Sequence, residues 1–511
     1  MTIAKTTNKY VQLYNLVLAH YHKLLPLVRA RDTIEWDMNT FMPMDAGPYK
    51  GSTLAHLDVM AHNLLLEPNF VKNVETLYSA LQSGELNKAG FSVFQKGDIR
   101  LLYRAIERNK KLPERFVKEF SKLTSDAFNV WRKAKKEDDF AAFAPYLEKI
   151  FKMARQKSEY LGYKDHPYDP HIDAYEEGIT TQDVREYFNK LIPEFKNLLN
   201  SIQSAPGYKP ESPLEKEPYN KAKMRKLNHK VLNYMLFDPA KSRLDVAPHP
   251  FTTTLGKNDV RITTWYHPAD FRRSLSATIH EWGHALHALG LADEAWDTPS
   301  EDHSYAIAES QSRFMENVVG RNRAFLELWL KDMQNLGENR HKYTLDDFYH
   351  YFNLVRPSLI RVEADEVTYH FHIYIRFEVE VKLLEGDLSV ADLPDFWNSR
   401  FEQLLGIQVP NYRQGVLQDV QWSRGSIGYF PTYSMGTVLS MQMAQVIMQK
   451  LGDISKLVVT QQGFKKIREF LQQTVHQYGG ALPPKELIKQ SFGKYLDVEL
   501  AIKYLREKYV E

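Results

Sequence analysis

Apolar residues recur at three- and four-residue intervals along most of this 511-residue chain, and this spacing constrains the fold more than any other feature. Such a repeat places apolar side chains on one face of an α-helix. Gly and Pro, with 24 each, are scarce, so turns are few. The sequence therefore predicts a mainly α protein. Its predicted helices span residues 10–28, 54–66, 113–131, 140–161, 184–202, 221–236, 274–289, 306–328, 431–451 and 485–509.

Three segments depart from this pattern. Residues 251–255 and 260–265 are rich in threonine and β-branched residues and flank a polar turn, which predicts a β-hairpin just before the helix at 274–289. Residues 367–381 fit the helical and the strand period in part, and we favour a helix. Residues 206–219 contain four prolines and predict a surface loop. Because no repeat or long linker divides the chain, we expect a single domain over residues 1–511.

Composition excludes several classes of protein. Lys and Arg number 66 and Asp and Glu 64, so the chain lacks the basic excess of a protein that binds nucleic acid or anionic membranes. There is no cysteine, so a metal site must use His, Asp or Glu. The polar residues 1–10 and the absence of a long apolar run argue against a signal peptide or membrane span, which predicts a cytoplasmic protein.

Residues 280–284 read H-E-W-G-H, the pattern H-E-x-x-H, within a predicted helix. Histidines four residues apart share a helix face, so His280 and His284 can bind one cation, with Glu281 directed at its open position. Zinc lowers the pKa of bound water to about 7, and an adjacent carboxylate accepts the proton as the water attacks an amide carbonyl. Chance would produce the pattern about 0.04 times in such a chain, so it predicts a zinc hydrolase.

A catalytic zinc needs a third protein ligand, which here is a downstream His or Glu. Glu301 lies in a polar loop, whereas Glu309 lies among small apolar residues that predict a buried helix face. Because a buried carboxylate needs a counter-charge, which a cation supplies, we favour Glu309. Glu316, two turns further along, is the alternative. His287, three residues after His284, is expected to support the site or the fold rather than bind metal.

Several other segments carry recognisable motifs. They are W-D-M-N-T-F-M-P at 36–43, H-P-F at 249–251, D-V-R-I-T at 259–263, I-R-V-E-A-D at 360–365 and G-V-L-Q-D-V-Q-W at 415–422. With the H-E-x-x-H helix and residues 478–488, they resemble, in the same order, the motifs of the M32 or Taq-type metallocarboxypeptidases. The resemblance extends from about residue 30 to the C-terminus.

The resemblance implies a mostly helical fold with a deep active-site cleft and removal of single residues from peptide C-termini. It also implies one divalent cation per chain, zinc with cobalt as a substitute, and a homodimer that takes peptides as substrates. Position by position, His280 and His284 match the family's zinc histidines, Glu281 its general base and Glu309 its third ligand.

Two positions depart from the family pattern. The residue before the ligand glutamate is often His in the family and is Ala308 here, and the residue before Trp422 is His in the family and Gln421 here. Glutamine can donate a hydrogen bond near a developing oxyanion but cannot titrate. We therefore expect activity with an altered pH profile, with Gln421 in a substrate-binding position.

An exopeptidase must hold the terminal carboxylate of its substrate, and a planar guanidinium matches the two carboxylate oxygens. Arg261, Arg361 and Arg424 lie in family-like segments and are the candidates. The alternative for Arg261 is an ion pair with Asp259, and for Arg361 an ion pair with Asp365.

Tyr429 and Tyr433 are candidates to donate a phenolic proton to the tetrahedral oxyanion, with packing in the core as the alternative. His249, between two prolines, is expected to have a structural role in a turn. The predicted function is a zinc-dependent carboxypeptidase in which Glu281 takes a proton from water and passes it to the leaving amine. A zinc oligopeptidase or dipeptidase and a non-catalytic peptide-binding scaffold are the alternatives.

Overall fold

The computed structural model describes residues 2–267 and 269–511, and most of them lie in α-helices, as the apolar spacing predicted. In the described residues, ten α-helices precede the sheet: α1 (Thr2–Thr40), α2 (Gly47–Leu65), α3 (Pro68–Gln82), α4 (Glu85–Lys88), α5 (Val93–Lys110), α6 (Glu114–Glu137), α7 (Phe140–Leu161), α8 (Asp169–Ile172), α9 (Thr181–Gln203) and α10 (Lys221–Tyr234).

The remaining α-helices of the described residues follow the sheet. They are α11 (Phe271–Leu289), α12 (Tyr305–Arg313), α13 (Arg323–Leu328), α14 (Leu330–Gln334), α15 (Leu345–Phe352), α16 (Tyr369–Glu385), α17 (Leu393–Leu405), α18 (Phe430–Leu451), α19 (Ile454–Leu457), α20 (Gln461–Thr474), α21 (Pro484–Phe492) and α22 (Val498–Tyr509). The ambiguous segment 367–381 is helical, as favoured. Because α16 is buried on nearly all sides, its apolar residues show no single period.

Two predicted helices are interrupted. The segment 306–328 is divided into α12, a π-helix at Phe314–Gly320 and α13. The segment 485–509 is divided into α21 and α22, because Gly493 ends α21 with a positive φ of 86°. Apolar spacing continues across both interruptions, and for this reason the sequence did not reveal them.

The predicted hairpin is present as β2 (Thr252–Gly256) and β3 (Asp259–Thr264), which pair antiparallel. A third strand that the sequence did not reveal, β1 (Ser242–Val246), pairs parallel to β3 on its other edge. β1 has only five residues, too few for a clear alternation of apolar and polar side chains. Both β2 and β3 pack against α11, so the sheet supports the helix that carries the H-E-x-x-H pattern.

The apolar core has two main parts. The larger extends from α6 to α22 and surrounds α11, α12 and α18, while a smaller cluster joins α1, α3, α4 and α5. The helices that carry the predicted site, α11, α12 and α18, thus lie in the larger core.

Among the described residues, no helix combines the length and apolarity needed to cross a bilayer.

Candidate metal centre

The helix α11 is anchored by its apolar face and presents its histidines on the opposite face. Leu275, Ile279 and Trp282 are almost fully buried, and the Trp282 indole N–H donates to a backbone carbonyl of α10's C-terminal end at 2.9 Å. The side chains of His280 and His284 keep 17% and 23% of their surface exposed. The anchored face thus fixes the direction in which both imidazoles point.

The helix α12, which carries Glu309, lies very close to its neighbours on two sides. A Cβ on Gly283 of α11 would lie 2.6 Å from the Ser312 Cα, and a Cβ on Gly436 of α18 would lie 2.7 Å from the Glu309 Cβ. Neither position has room for a side chain. The two glycines therefore allow α12 to bring Glu309 up to the histidines.

We expect Gly283→Ala to lower the free energy of unfolding by about 1–3 kcal/mol, because the added methyl group meets backbone atoms that cannot rotate away. Urea denaturation of the metal-free protein would measure this loss. Gly51→Ala in α2 is the matched control, since its Cβ meets nothing within 4 Å. Unchanged stability of Gly283→Ala would contradict the close approach of the two helices.

The structure brings together the three residues predicted as metal ligands. The Nε2 atoms of His280 and His284 each lie 3.6 Å from the same oxygen, Oε2 of Glu309. Ligand atoms 2.0–2.1 Å from a tetrahedral zinc are about 3.3 Å from one another, so this spacing fits such an ion. In residues 2–267 and 269–511, this is the one group of three His or carboxylate residues with suitably close ligand atoms.

Glu316, the alternative third ligand, occupies a different place. Its Oε2 lies 3.0 Å from Nδ1 of His280, so Glu309 and Glu316 contact the two different nitrogens of one imidazole ring. A carboxylate on Nδ1 fixes the tautomer and orientation of a metal-binding histidine. Glu316 is therefore placed to support His280 rather than to join the ligand atoms.

Arg313 holds both glutamates. Its Nε donates to Oε1 of Glu309 at 2.7 Å, and its Nη1 donates to Oε2 of Glu316 at 3.3 Å. Burial alone would raise the pKa of Glu309, but Arg313 and the two histidines hold it well below its usual range. Glu309 is thus an anion whose Oε1 is bonded to Arg313, while its Oε2 accepts from the Ser312 hydroxyl at 3.2 Å and faces His280 and His284. The i,i+4 spacing of Glu309 and Arg313 is a signal that the sequence analysis missed.

Glu281 is 6% exposed and is held by the hairpin. The Thr252 hydroxyl on β2 donates to its Oε2 at 2.6 Å and to its backbone carbonyl at 3.0 Å. Thr252 was not predicted from the sequence, because nothing in the hairpin's own pattern shows which threonine meets α11. It holds the Glu281 carboxylate beside the candidate ligands.

Arg361 is buried close to the candidate tyrosines. Its Nε donates to Asp419 at 2.8 Å, its Nη1 donates to the Tyr369 hydroxyl at 3.2 Å, and its guanidinium lies 5.0 Å from the centre of the Tyr433 ring. The predicted alternative, an ion pair with Asp365, is wrong, because Asp365 accepts instead from nearby backbone N–H groups. Arg361 thus lies at the edge of the site with Asp419 as its partner.

The other two candidate arginines differ in their surroundings. The Nε and Nη2 of Arg261 donate to the two carboxylate oxygens of Asp259, at 2.8 and 2.9 Å, as the alternative interpretation held, and its guanidinium lies over the Trp36 ring. Arg424 is exposed, and its guanidinium lies over the Phe128 ring at 5.0 Å.

The pKa of His249 is affected by several of the charged groups around the site. Burial lowers the pKa of His249, the charges of Arg361, Lys135 and Arg424 lower it further, and Glu281 raises it. The imidazole therefore lies near enough to Glu281 and to these cations to be affected by their charges, which its place in a proline turn did not reveal.

The candidate tyrosines lie side by side. The ring centres of Tyr429 and Tyr433 are 5.1 Å apart, and Tyr305 extends this aromatic wall at 5.4 Å from Tyr429. Burial raises the pKa of Tyr433 to about 12 although Arg361 lowers it, so its hydroxyl keeps its proton at neutral pH.

Gln421 lies in the loop before α18, and within the described residues its buried Oε1 meets no hydrogen-bond partner. His287 is buried against His303 and His476 rather than near Glu309.

A helical fold that directs two histidines and a glutamate at one point, with a further carboxylate beside them, defines a metal-dependent hydrolase of the H-E-x-x-H class. Residues 17–509 match the family model described as carboxypeptidase Taq (M32) metallopeptidase. The chain therefore belongs to the M32 family and is a metallocarboxypeptidase, a peptide hydrolase that depends on a divalent metal.

Similar proteins agree with this assignment. Thermostable carboxypeptidase 1 of Pyrococcus furiosus is 40% identical over 97% of this chain and 98% of its own length. Carboxypeptidase 1 of Bacillus subtilis is 34% identical over 96% of each. The solved structure of Pyrococcus furiosus carboxypeptidase gives a TM-score of 0.93 at 39% identity, covering 98% of this chain and 99% of that one. The predicted family and helical fold are thus confirmed.

Proposed function

We propose that this metallocarboxypeptidase holds zinc with His280, His284 and Glu309 and releases single residues from free peptide C-termini. One observation carries the proposal: two imidazole nitrogens face a single oxygen of an anionic, buried glutamate at 3.6 Å. When bound there, a divalent cation supplies Lewis-acid polarisation of the scissile carbonyl and makes water a stronger acid.

The protein's own groups would carry out the remaining tasks. Arg361, which lies against Tyr433, and Arg424 would bind the terminal carboxylate, with Arg261 as the less supported candidate because its Nε and Nη2 both pair with Asp259.

Proton transfer and charge stabilisation fall to other side chains. Glu281, oriented by Thr252, would take a proton from the attacking water and pass it to the leaving amine. The Tyr433 hydroxyl would donate to the oxygen that becomes negative as the water adds, with Tyr429 packed beside it.

Some parts of the proposal rest on the resemblance or the sequence rather than on contacts. Gln421 would donate to the substrate where relatives often have His, and cobalt would substitute for zinc. A homodimer is what the family resemblance implies. Sedimentation analysis would test the dimer.

The direct experiment compares one peptide with a free C-terminus and the same peptide with an amidated C-terminus. Mass spectrometry should show stepwise loss of single residues from the free peptide and no release from the amidated one, because the amide offers no carboxylate to the arginines. Cleavage of both peptides at internal bonds would instead identify an oligopeptidase.

Metal analysis tests the remaining alternative. The purified protein should hold about one equivalent of zinc or cobalt per chain, and chelation should abolish peptide release until metal is restored. Less than about half an equivalent after incubation with metal would favour the non-catalytic scaffold.

A further inference from the structure

The C-terminal helix α22 contributes two side chains to a buried carboxylate. The Lys508 ammonium and the Tyr509 hydroxyl each lie 2.5 Å from the same oxygen, Oε1 of Glu366. The Glu366 side chain is fully buried and that of Lys508 is 10% exposed. Because an uncompensated charge in the interior is strongly unfavourable, the Lys508 ammonium is well placed as the counter-charge in contact with this carboxylate.

Arg321 pairs with Glu316, the carboxylate that contacts His280. Its Nη2 donates to Oε1 of Glu316 at 2.6 Å, while Oε2 of Glu316 contacts Nδ1 of His280 at 3.0 Å. Burial lowers the pKa of Arg321, but the charges of Glu316 and Glu366 raise it above its usual value. Two buried carboxylates therefore attract the same guanidinium, and one of them orients a proposed metal ligand.

Lys508 also contacts the π-helix that carries Glu316. Its ammonium donates to the backbone carbonyl of Asn317, the next residue, at 3.2 Å. The wider turn of a π-helix interrupts the regular i→i−4 hydrogen bonds, so contacts from outside help to hold such a segment. Lys508 therefore contacts both the Glu366 carboxylate and the backbone of the π-helix that carries Glu316, the residue that contacts His280.

We propose that α22 positions the metal centre: Lys508 neutralises Glu366, so that Arg321 stays on Glu316 and Glu316 stays on His280. This inference rests on the proposed zinc site. Without Lys508, the Glu366 carboxylate competes for Arg321, and the imidazole loses its fixed orientation. Disturbing the groups that orient a metal ligand typically lowers metal affinity about 10–100-fold.

The test measures zinc affinity of the full chain by competition with a chromophoric chelator. Lys508→Met should weaken zinc binding about tenfold. Adding Glu366→Gln to that variant should return the affinity to within about threefold of the original, because it removes the competing anion. Lys503→Met is the matched control, since this exposed lysine of α22 lies 3.7 Å from Glu507 on the surface, and it should leave zinc affinity unchanged.

Two outcomes overturn the inference: unchanged zinc affinity in Lys508→Met, or a loss that Glu366→Gln does not relieve in a folded protein. Should Lys508→Met fail to fold, Tyr509→Phe removes only one hydroxyl from Glu366 and should weaken zinc binding about threefold. Unchanged affinity of Tyr509→Phe would then overturn it. Failure of the unaltered protein to bind zinc contradicts the proposed function instead, so the two failures are distinct.

Discussion

Glu281→Gln is expected to lower kcat by about 10³–10⁴-fold while the protein keeps about one zinc per chain. The amide has nearly the same shape as the carboxylate and can still accept from the Thr252 hydroxyl, so the site should stay assembled. It cannot take a proton from water, and general base catalysis is therefore lost. Steady-state kinetics on a short peptide, together with metal analysis of the same sample, would measure both quantities.

The matched control for this change is Glu294→Gln. Glu294 is exposed just beyond the end of α11, so the same chemical change there should leave kcat and metal content as they are. Near-normal turnover of Glu281→Gln would contradict its role as the base. Loss of the metal together with activity would instead show that Glu281 helps to hold the site together.

Tyr433→Phe is expected to lower kcat about 10²-fold and to change KM by less than about threefold. The hydroxyl would contact the carbonyl oxygen most strongly as negative charge develops on it, so its removal affects the transition state more than the bound substrate. The pKa of about 12 keeps this hydroxyl protonated, and therefore able to donate, over the whole neutral range. Initial rates over a range of peptide concentrations would separate kcat from KM.

Two further variants make this test specific. Tyr429→Phe should have a smaller effect, because Tyr433 rather than Tyr429 lies against Arg361. Tyr163→Phe, at an exposed position just after α7 whose hydroxyl donates to Glu159 of that helix, should have no effect. A larger loss for Tyr429→Phe than for Tyr433→Phe would contradict the assignment of the donor.

The local parts of the site were predictable because they depend on helical spacing. His280 and His284 share a face of α11 whatever the rest of the chain does. Glu309 was favoured over Glu301 because its small neighbours indicated burial, and the structure places it between α11 and α18. In each case the evidence lay within a few residues of the position itself.

The supporting groups were not predictable in this way. Thr252 meets Glu281 across 29 positions of sequence, and Asp419 meets Arg361 across 58. Many threonines and aspartates stand at similar local positions, and no periodic pattern distinguishes the one that makes the contact. Asp365, four residues after Arg361 and the partner that local spacing suggested, was for this reason the wrong one.

The amino-acid sequence by itself determined the helical class, the hairpin and the histidine pair with its neighbouring carboxylate, since these follow from side-chain periodicity along one segment. Only the tertiary structure decided that Glu316 contacts Nδ1 of His280, and that Lys508 of the last helix, α22, contacts the backbone of the residue after Glu316. Those contacts arise when distant helices pack, and charge balance in the buried space between them depends on every group present there.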